Sequence, residues 1–109
     1  MLKTTIFIAA TVLAGQAFAA SQELIERGKY MAQASDCIAC HTKPGGQPFA
    51  GGLAMSTPLG DIYTTNITPD AETGIGSYSL EEFSEALREG ESPKGRLYPA
   101  MPYTAYAKL

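Results

Sequence analysis

The chain has 109 residues, with eight Lys and Arg against eleven Asp and Glu, two Cys and one His. That length allows one small domain with a modest core, and the acidic balance argues against a nucleic-acid partner. No low-complexity tract and no internal repeat divides it.

The N-terminus carries one positive charge, at Lys3, followed by an apolar stretch from Ile6 to Leu13 and then Ala17-Phe18-Ala19. A short basic start, an apolar middle and an A-x-A pattern together predict a secretory signal peptide over residues 1–19, cleaved after Ala19. The apolar run falls short of the roughly 18–20 residues that a membrane span needs, and no later stretch reaches that length. The expectation is an exported domain over residues 20–109, located in the periplasm, with no transmembrane span after cleavage. Loss of Lys3 with the leader leaves seven basic residues against eleven acidic ones. An acidic surface of this kind suits a basic patch on a redox partner, although it is mainly a matter of solubility.

Residues Ser21 to Ala34 read as a helix. Ser21 is a plausible N-cap, and Glu23 and Glu26 lie where acids suit the helix dipole. Leu24, Ile25, Gly28 and Met31 fall on one face at helical spacing, with Tyr30 beside it. A glycine inside a helix costs about 0.5–1 kcal/mol relative to Ala. Gly28 therefore suggests close approach by a second helix, against the simpler view of a tolerated surface glycine.

Cys37-Ile38-Ala39-Cys40-His41 comes next and holds every cysteine and the single histidine of the chain. C-x-x-C-H is the attachment motif of c-type haem. Two thiols two residues apart can add to the two vinyl groups on one porphyrin edge, and the following imidazole can reach the iron as its proximal ligand. Other uses fit less well. A thioredoxin-like pair normally sits near a βαβ pattern, which is not found here. Structural zinc requires four N/S ligands, and the chain has three such side chains. A disulfide leaves the adjacent His41 unexplained.

Residues Thr42 to Tyr78 are rich in Pro and Gly and read as a long loop. Phe49, Leu53, Met55, Leu59, Ile62, Tyr63 and Ile67 make it too apolar for disorder, so a loop wrapped around a large flat cofactor is expected. Ile62 to Asn66 suggests a short strand or an extended strip. Ser79-Leu80-Glu81-Glu82 is a capping box that opens a helix, with Leu80, Phe83, Ala86 and Leu87 as its apolar stripe and Gly90 closing it. A second loop, Ser92 to Tyr103, carries Met101 between Pro99 and Pro102. A thioether can complete a His/Met pair on iron and raise its potential. Met31 reads as core, Met55 lies fourteen residues beyond His41, and Met101 lies sixty beyond it on a proline-stiffened loop. Met101 is the candidate distal ligand, with an open sixth position or simple packing as the alternatives.

The run from Gly28-Lys29-Tyr30 to Cys37–Thr42 resembles class I cytochrome c. Gly46–Gly52, Thr57–Gly60, Ile62-Tyr63, Asn66–Asp70, Thr73–Gly76 and Leu97–Tyr103 resemble, in order, the first haem domain of the multihaem cytochrome c subunit of membrane-bound alcohol-, gluconate-, sorbitol- and aldehyde-type dehydrogenases. The resemblance implies a small, mostly α domain wrapped around one covalent haem c. Cys37 and Cys40 would bind the haem, with His41 as proximal and Met101 as distal iron ligand. It implies electron transfer, not substrate chemistry. The implied partners are a quinoprotein or flavoprotein dehydrogenase subunit, a membrane quinone or another redox protein. The subunits of that family carry three haem domains, and class I domains close with a helix that crosses the first one. Here one C-x-x-C-H is present, and Pro102 to Leu109 shows no amphipathic helix. The expectation is a domain without its C-terminal helix, incomplete at that end. An alternative function is a haem-based sensor with an open sixth iron position; a thiol–disulfide enzyme is a third.

Overall fold

A computed structural model describes residues 20–109, so the expected leader over residues 1–19 lies outside the described residues. Helix α1 spans Gln22–Ala34. Ser21 caps it as expected, its hydroxyl accepting the Leu24 N–H at 3.2 Å. Gln22 donates to the Glu26 carboxylate one turn on, at 3.1 Å. Leu24, Ile25 and Met31 are 58%, 51% and 60% exposed, so the apolar face is not covered among the described residues. A Cβ built on Gly28 meets nothing within 4 Å, and the close helix approach expected there is not observed among them. No helix of the described residues is long and apolar enough to cross a membrane.

Asp36 takes a left-handed conformation, φ 64°, and turns the chain into the single-turn helix α2, Cys37–Cys40. Asp tolerates this region better than most residues because its short side chain can bond locally. The stretch expected as loop contains a hairpin. Strands β1 (Ala54–Thr57) and β2 (Gly60–Tyr63) pair antiparallel, from Ala54 opposite Tyr63 to Thr57 opposite Gly60. The strand anticipated at Ile62–Asn66 thus starts and ends earlier. Its partner hid in the sequence because Ala-Met-Ser-Thr is a weak strand former apart from Thr57.

Beyond the hairpin the chain is organised by side chains bonding to nearby backbone. Asn66 Oδ1 accepts from the Thr68 N–H at 2.8 Å and the Thr68 hydroxyl at 2.6 Å. Asp70 Oδ1 accepts from the Thr73 N–H at 2.7 Å, the Thr73 hydroxyl at 3.0 Å and the Glu72 N–H at 3.0 Å. Such Asx turns supply the order that helix or sheet would otherwise give.

Helix α3 spans Leu80–Glu89. Its capping box forms as predicted. The Ser79 hydroxyl accepts from Glu82 N at 3.1 Å, and Ser79 N donates to the Glu82 carboxylate at 2.8 Å. Gly90 ends it in the left-handed region, φ 72°. Strands β3 (Glu91–Ser92) and β4 (Gly95–Arg96) form a small hairpin crossed by a Glu91–Arg96 ion pair. From its turn the Lys94 ammonium donates to the Gly74 carbonyl at 2.8 Å. After Pro102 a one-turn helix α4, Tyr103–Tyr106, packs against α3 in a segment where no helix was anticipated. The mostly α expectation describes α1 and α3; residues between them are mainly turns and a hairpin.

No hydrophobic side chain among the described residues is fully buried. The residues that are buried are Gly51, Gly74 and Gly90, each so close to another part of the chain that a Cβ would come within 3.0 Å of it. The larger apolar groups line a common cavity instead.

The Thr73 amide, with the Thr73 hydroxyl and the Glu72 amide, holds the Asp70 carboxyl below its ordinary value of 3.8. A carboxyl with a depressed folded-state pKa stabilises the fold above its unfolded pKa and stops doing so as pH falls through the folded value. Asp70→Ala should therefore melt at a lower temperature than the parent at neutral pH. The gap should narrow as pH falls below 3.8 and through the lower folded value. Thermal melts at several pH values test this, and a gap of constant size into acid would contradict it.

Candidate functional site

Helix α2 is one turn long, and its geometry follows from the spacing of its cysteines. Residues three apart on a helix share a face, so Cys37 and Cys40 come to one wall of the cavity together with His41. The His41 N–H closes the turn on the Cys37 carbonyl at 2.9 Å. The two cysteines are not joined to each other. Burial pushes the Cys37 thiol above its ordinary value. A redox-active thiol of the thioredoxin kind is depressed instead, so this environment does not favour a thiolate. No three His, Cys, Asp or Glu side chains gather as a metal-ion site among the described residues.

His41 is gripped on two sides. Its own carbonyl accepts the Gly51 N–H at 2.7 Å. Its ring Nδ1 lies 2.7 Å from the Thr65 carbonyl. A carbonyl can only accept, so Nδ1 carries the proton and Nε2 keeps its lone pair. That is the arrangement that orients a metal-ligating imidazole and raises its basicity. The Thr65 carbonyl is itself fixed by its neighbours. Gly52 N donates to the Thr64 carbonyl at 2.8 Å, Thr64 N to Leu53 O at 3.0 Å, and Leu53 N to the Thr64 hydroxyl at 3.0 Å. Gly51 makes this possible. At φ 70° it is left-handed, and a Cβ there would run into the backbone of Thr64 and Thr65. The two chain segments can cross so closely because one of them has no side chain.

The cavity measures about 1120 Å³. Apolar groups from every part of the fold line it, among them Phe49 and Ile62 before α3, Phe83 and Leu87 on α3, and Leu97 after it. Met55 and Met101 both reach it, and Met31 does not. The sequence separated these methionines by reach along the chain; in space the hairpin brings Met55 to the same cavity. Two thiols, an imidazole with a free Nε2 and a thioether, around an apolar space of this size, fit a flat apolar macrocycle holding an iron. Lining residues that sequence reasoning missed include Tyr106, whose hydroxyl donates to the Ser35 carbonyl at 2.8 Å. Burial raises the pKa of that hydroxyl, with the nearby Cys37, Cys40 and Asp36 adding to the rise. The Thr65 carbonyl was also missed. It is a backbone atom, and no side-chain pattern announces it.

No protein-family model matches the chain. It is 60% identical over 89 residues to the gluconate 2-dehydrogenase cytochrome c subunit of Pantoea cypripedii, covering 81% of this chain and 20% of that protein. It is 58% identical over 91 residues to the cytochrome c subunit of the quinone alcohol dehydrogenase of Gluconobacter oxydans, covering 83% of this chain and 19% of that one. The fructose dehydrogenase cytochrome subunit of Gluconobacter japonicus is 59% identical over 87 residues, 78% of this chain and 18% of the relative. The chain thus spans about a fifth of the length of these relatives.

The grip on His41 is testable away from the cavity wall. Gly51→Ala puts a side chain into the left-handed region, at about 1–3 kcal/mol, and adds a clash with the Thr65 backbone. The melting temperature should fall by about 4–8 °C per kcal/mol lost in a domain of this size. An unchanged melt would show that the crossing at Gly51 is not tight.

Proposed function

We propose that this chain, a homologue of one segment of the cytochrome c subunits of gluconate, alcohol and fructose dehydrogenases, is a one-electron carrier built around a single covalent haem c. The observation that carries the proposal is the cavity wall of Cys37, Cys40 and His41, with Nδ1 of His41 already engaged by the Thr65 carbonyl. Cys37 and Cys40 form the two thioether links. His41 Nε2 is the proximal ligand, oriented by Thr65. When bound, the haem supplies the redox chemistry by exchange between Fe(II) and Fe(III). The chain's own work is to orient the ligands and surround the macrocycle with apolar side chains, which keep water away and tune the potential.

Met101 is the distal ligand in this reading. Met55 lies in β1, two residues after Leu53. Leu53 and Thr64 are bonded to each other beside the Thr65 carbonyl that His41 uses. That continuity ties the Met55 hairpin to the proximal side. Met101 comes from a separate loop between Tyr98 and α4, stiffened by Pro99 and Pro102, and reaches the same cavity.

The domain acts on no substrate. It receives electrons from the catalytic subunit of a dehydrogenase and passes them to another redox centre, a further haem or a quinone. With the leader over residues 1–19 directing export, this takes place in the periplasm, where c-type haem is attached.

Attachment and ligation have separate tests. Haem should stay with the denatured polypeptide through acid–acetone extraction and a gel, and replacing Cys37 and Cys40 with Ser should release it. Extraction of haem from the parent protein would exclude covalent attachment. Met101→Ala should abolish the weak sulfur-to-iron charge-transfer band of the oxidised protein and lower its potential, because a thioether ligand favours Fe(II). Met31→Ala and Met55→Ala should keep the band. Its loss in Met55→Ala would move the assignment to Met55.

A further inference from the structure

The segment after Met101 is tied into the rest of the fold at several points. Met101 N donates to the Tyr98 carbonyl at 2.9 Å, and Tyr103 N donates to the Met101 carbonyl at 2.8 Å. Helix α4 thus begins directly after Met101, with Pro102 as its N-cap. Its first turn is held by Ala105 N and Tyr106 N, which donate to the Pro102 carbonyl at 3.0 and 3.2 Å. A single turn has almost no stability of its own, so outside contacts set its orientation. Two tyrosines provide them. The Tyr103 ring lies against Gly90 at the end of α3, where a Cβ would come within 2.7 Å of the ring. The Tyr106 hydroxyl bonds to the Ser35 carbonyl across 71 positions of sequence.

Ser35 is the C-cap of α1, and Asp36 then turns the chain into Cys37. The Tyr106 bond therefore joins the Met101 loop to the turn that carries the two cysteines and His41. Tyr106 also lines the cavity alongside Cys37 and Cys40.

We propose that Tyr106 is a positioning residue for Met101, holding the Met101 loop at a fixed distance from the haem-attachment turn through its bond to Ser35. The inference rests on Met101 being the distal ligand. A thioether is a weak ligand, and its hold on iron depends on how much ordering its loop still has to pay on binding. The Tyr106–Ser35 bond offsets part of that ordering only in the docked loop, so it favours the Met101-bound state over the detached one. Without the tie, the Met101-bound state loses about one hydrogen bond relative to the detached state.

The test is Tyr106→Phe in the haem-loaded protein, which keeps the ring and removes the donor. Haem content by mass should equal that of the parent. The sulfur-to-iron band should disappear on warming well before the protein unfolds, whereas in the parent the two losses should lie closer together. Reduced protein should bind carbon monoxide about fivefold more tightly, because the competing Met101-bound state is weakened by one hydrogen bond. In a Met101→Ala background, Tyr106→Phe should leave carbon monoxide affinity unchanged. An equal gain in that background would show that Tyr106 acts on the cavity at large, and would overturn the proposal. So would a Tyr106→Phe protein with the parent's band and affinity while Met101→Ala loses the band. If Met101→Ala keeps the band, the ligand assignment itself fails, and the inference fails with it.

Discussion

The bond from His41 Nδ1 to the Thr65 carbonyl joins the end of α2 to a stretch of chain 24 residues further on. Most of the local structure follows from that meeting. Thr65 can present its carbonyl because β2 delivers it and the Leu53–Thr64 pair fixes its height. The two segments can lie so close because Gly51 has no side chain to hold them apart. The bond also sets the chemistry, since it decides which ring nitrogen carries the proton and which is left for a metal.

The remaining architecture is a shell around one cavity. Small domains bury too little surface to be stable on a conventional core alone, and metals, disulfides or cofactors commonly make up the difference. Here the large apolar side chains of the hairpin, of α3 and of the loops meet around the cavity. Site and core are the same place in this fold. A substitution that loosens the core also alters the site, and each apolar side chain withdrawn from the cavity forfeits about 25 cal/mol per Å² of the contact it made. The effect on stability and the effect on the site are then hard to separate except by substitutions outside the lining.

The parts legible in the sequence were those written in side chains. The Ser21 cap, the Ser79–Glu82 capping box and the Gly90 stop each lie where residue type alone put them. The C-x-x-C-H run identified the wall of the cavity. The hairpin at Ala54–Tyr63 was missed because its first strand has, apart from Thr57, none of the branched and aromatic residues that mark a strand. The Asx turns around Asn66 and Asp70 read only as breakers, although the same residues are what give that stretch its order. Met55 and Met101 were ranked by distance along the chain, and a two-residue hairpin turn makes that distance a poor guide to position. The contacts of the last eight residues had no signature either. Two tyrosines near the end look like ordinary surface aromatics until Gly90 and the Ser35 carbonyl are found beside them.

The Tyr106–Ser35 contact also bears on the order in which the fold assembles. Closing a loop of that span from an unfolded chain costs about 4 kcal/mol by loop-closure entropy, several times the net 0.5–1.5 kcal/mol of one hydrogen bond. The contact cannot form early on its own. It becomes affordable once α1, the His41–Thr65 crossing and α3 have shortened the effective loop. Fast and local elements come first, and this seam closes last. During the reverse process Tyr106 parts from Ser35 while the grip on His41 is still intact. A domain built this way opens by steps, and the Tyr106–Ser35 contact, with a long loop and one hydrogen bond to hold it, is a joint of low stability.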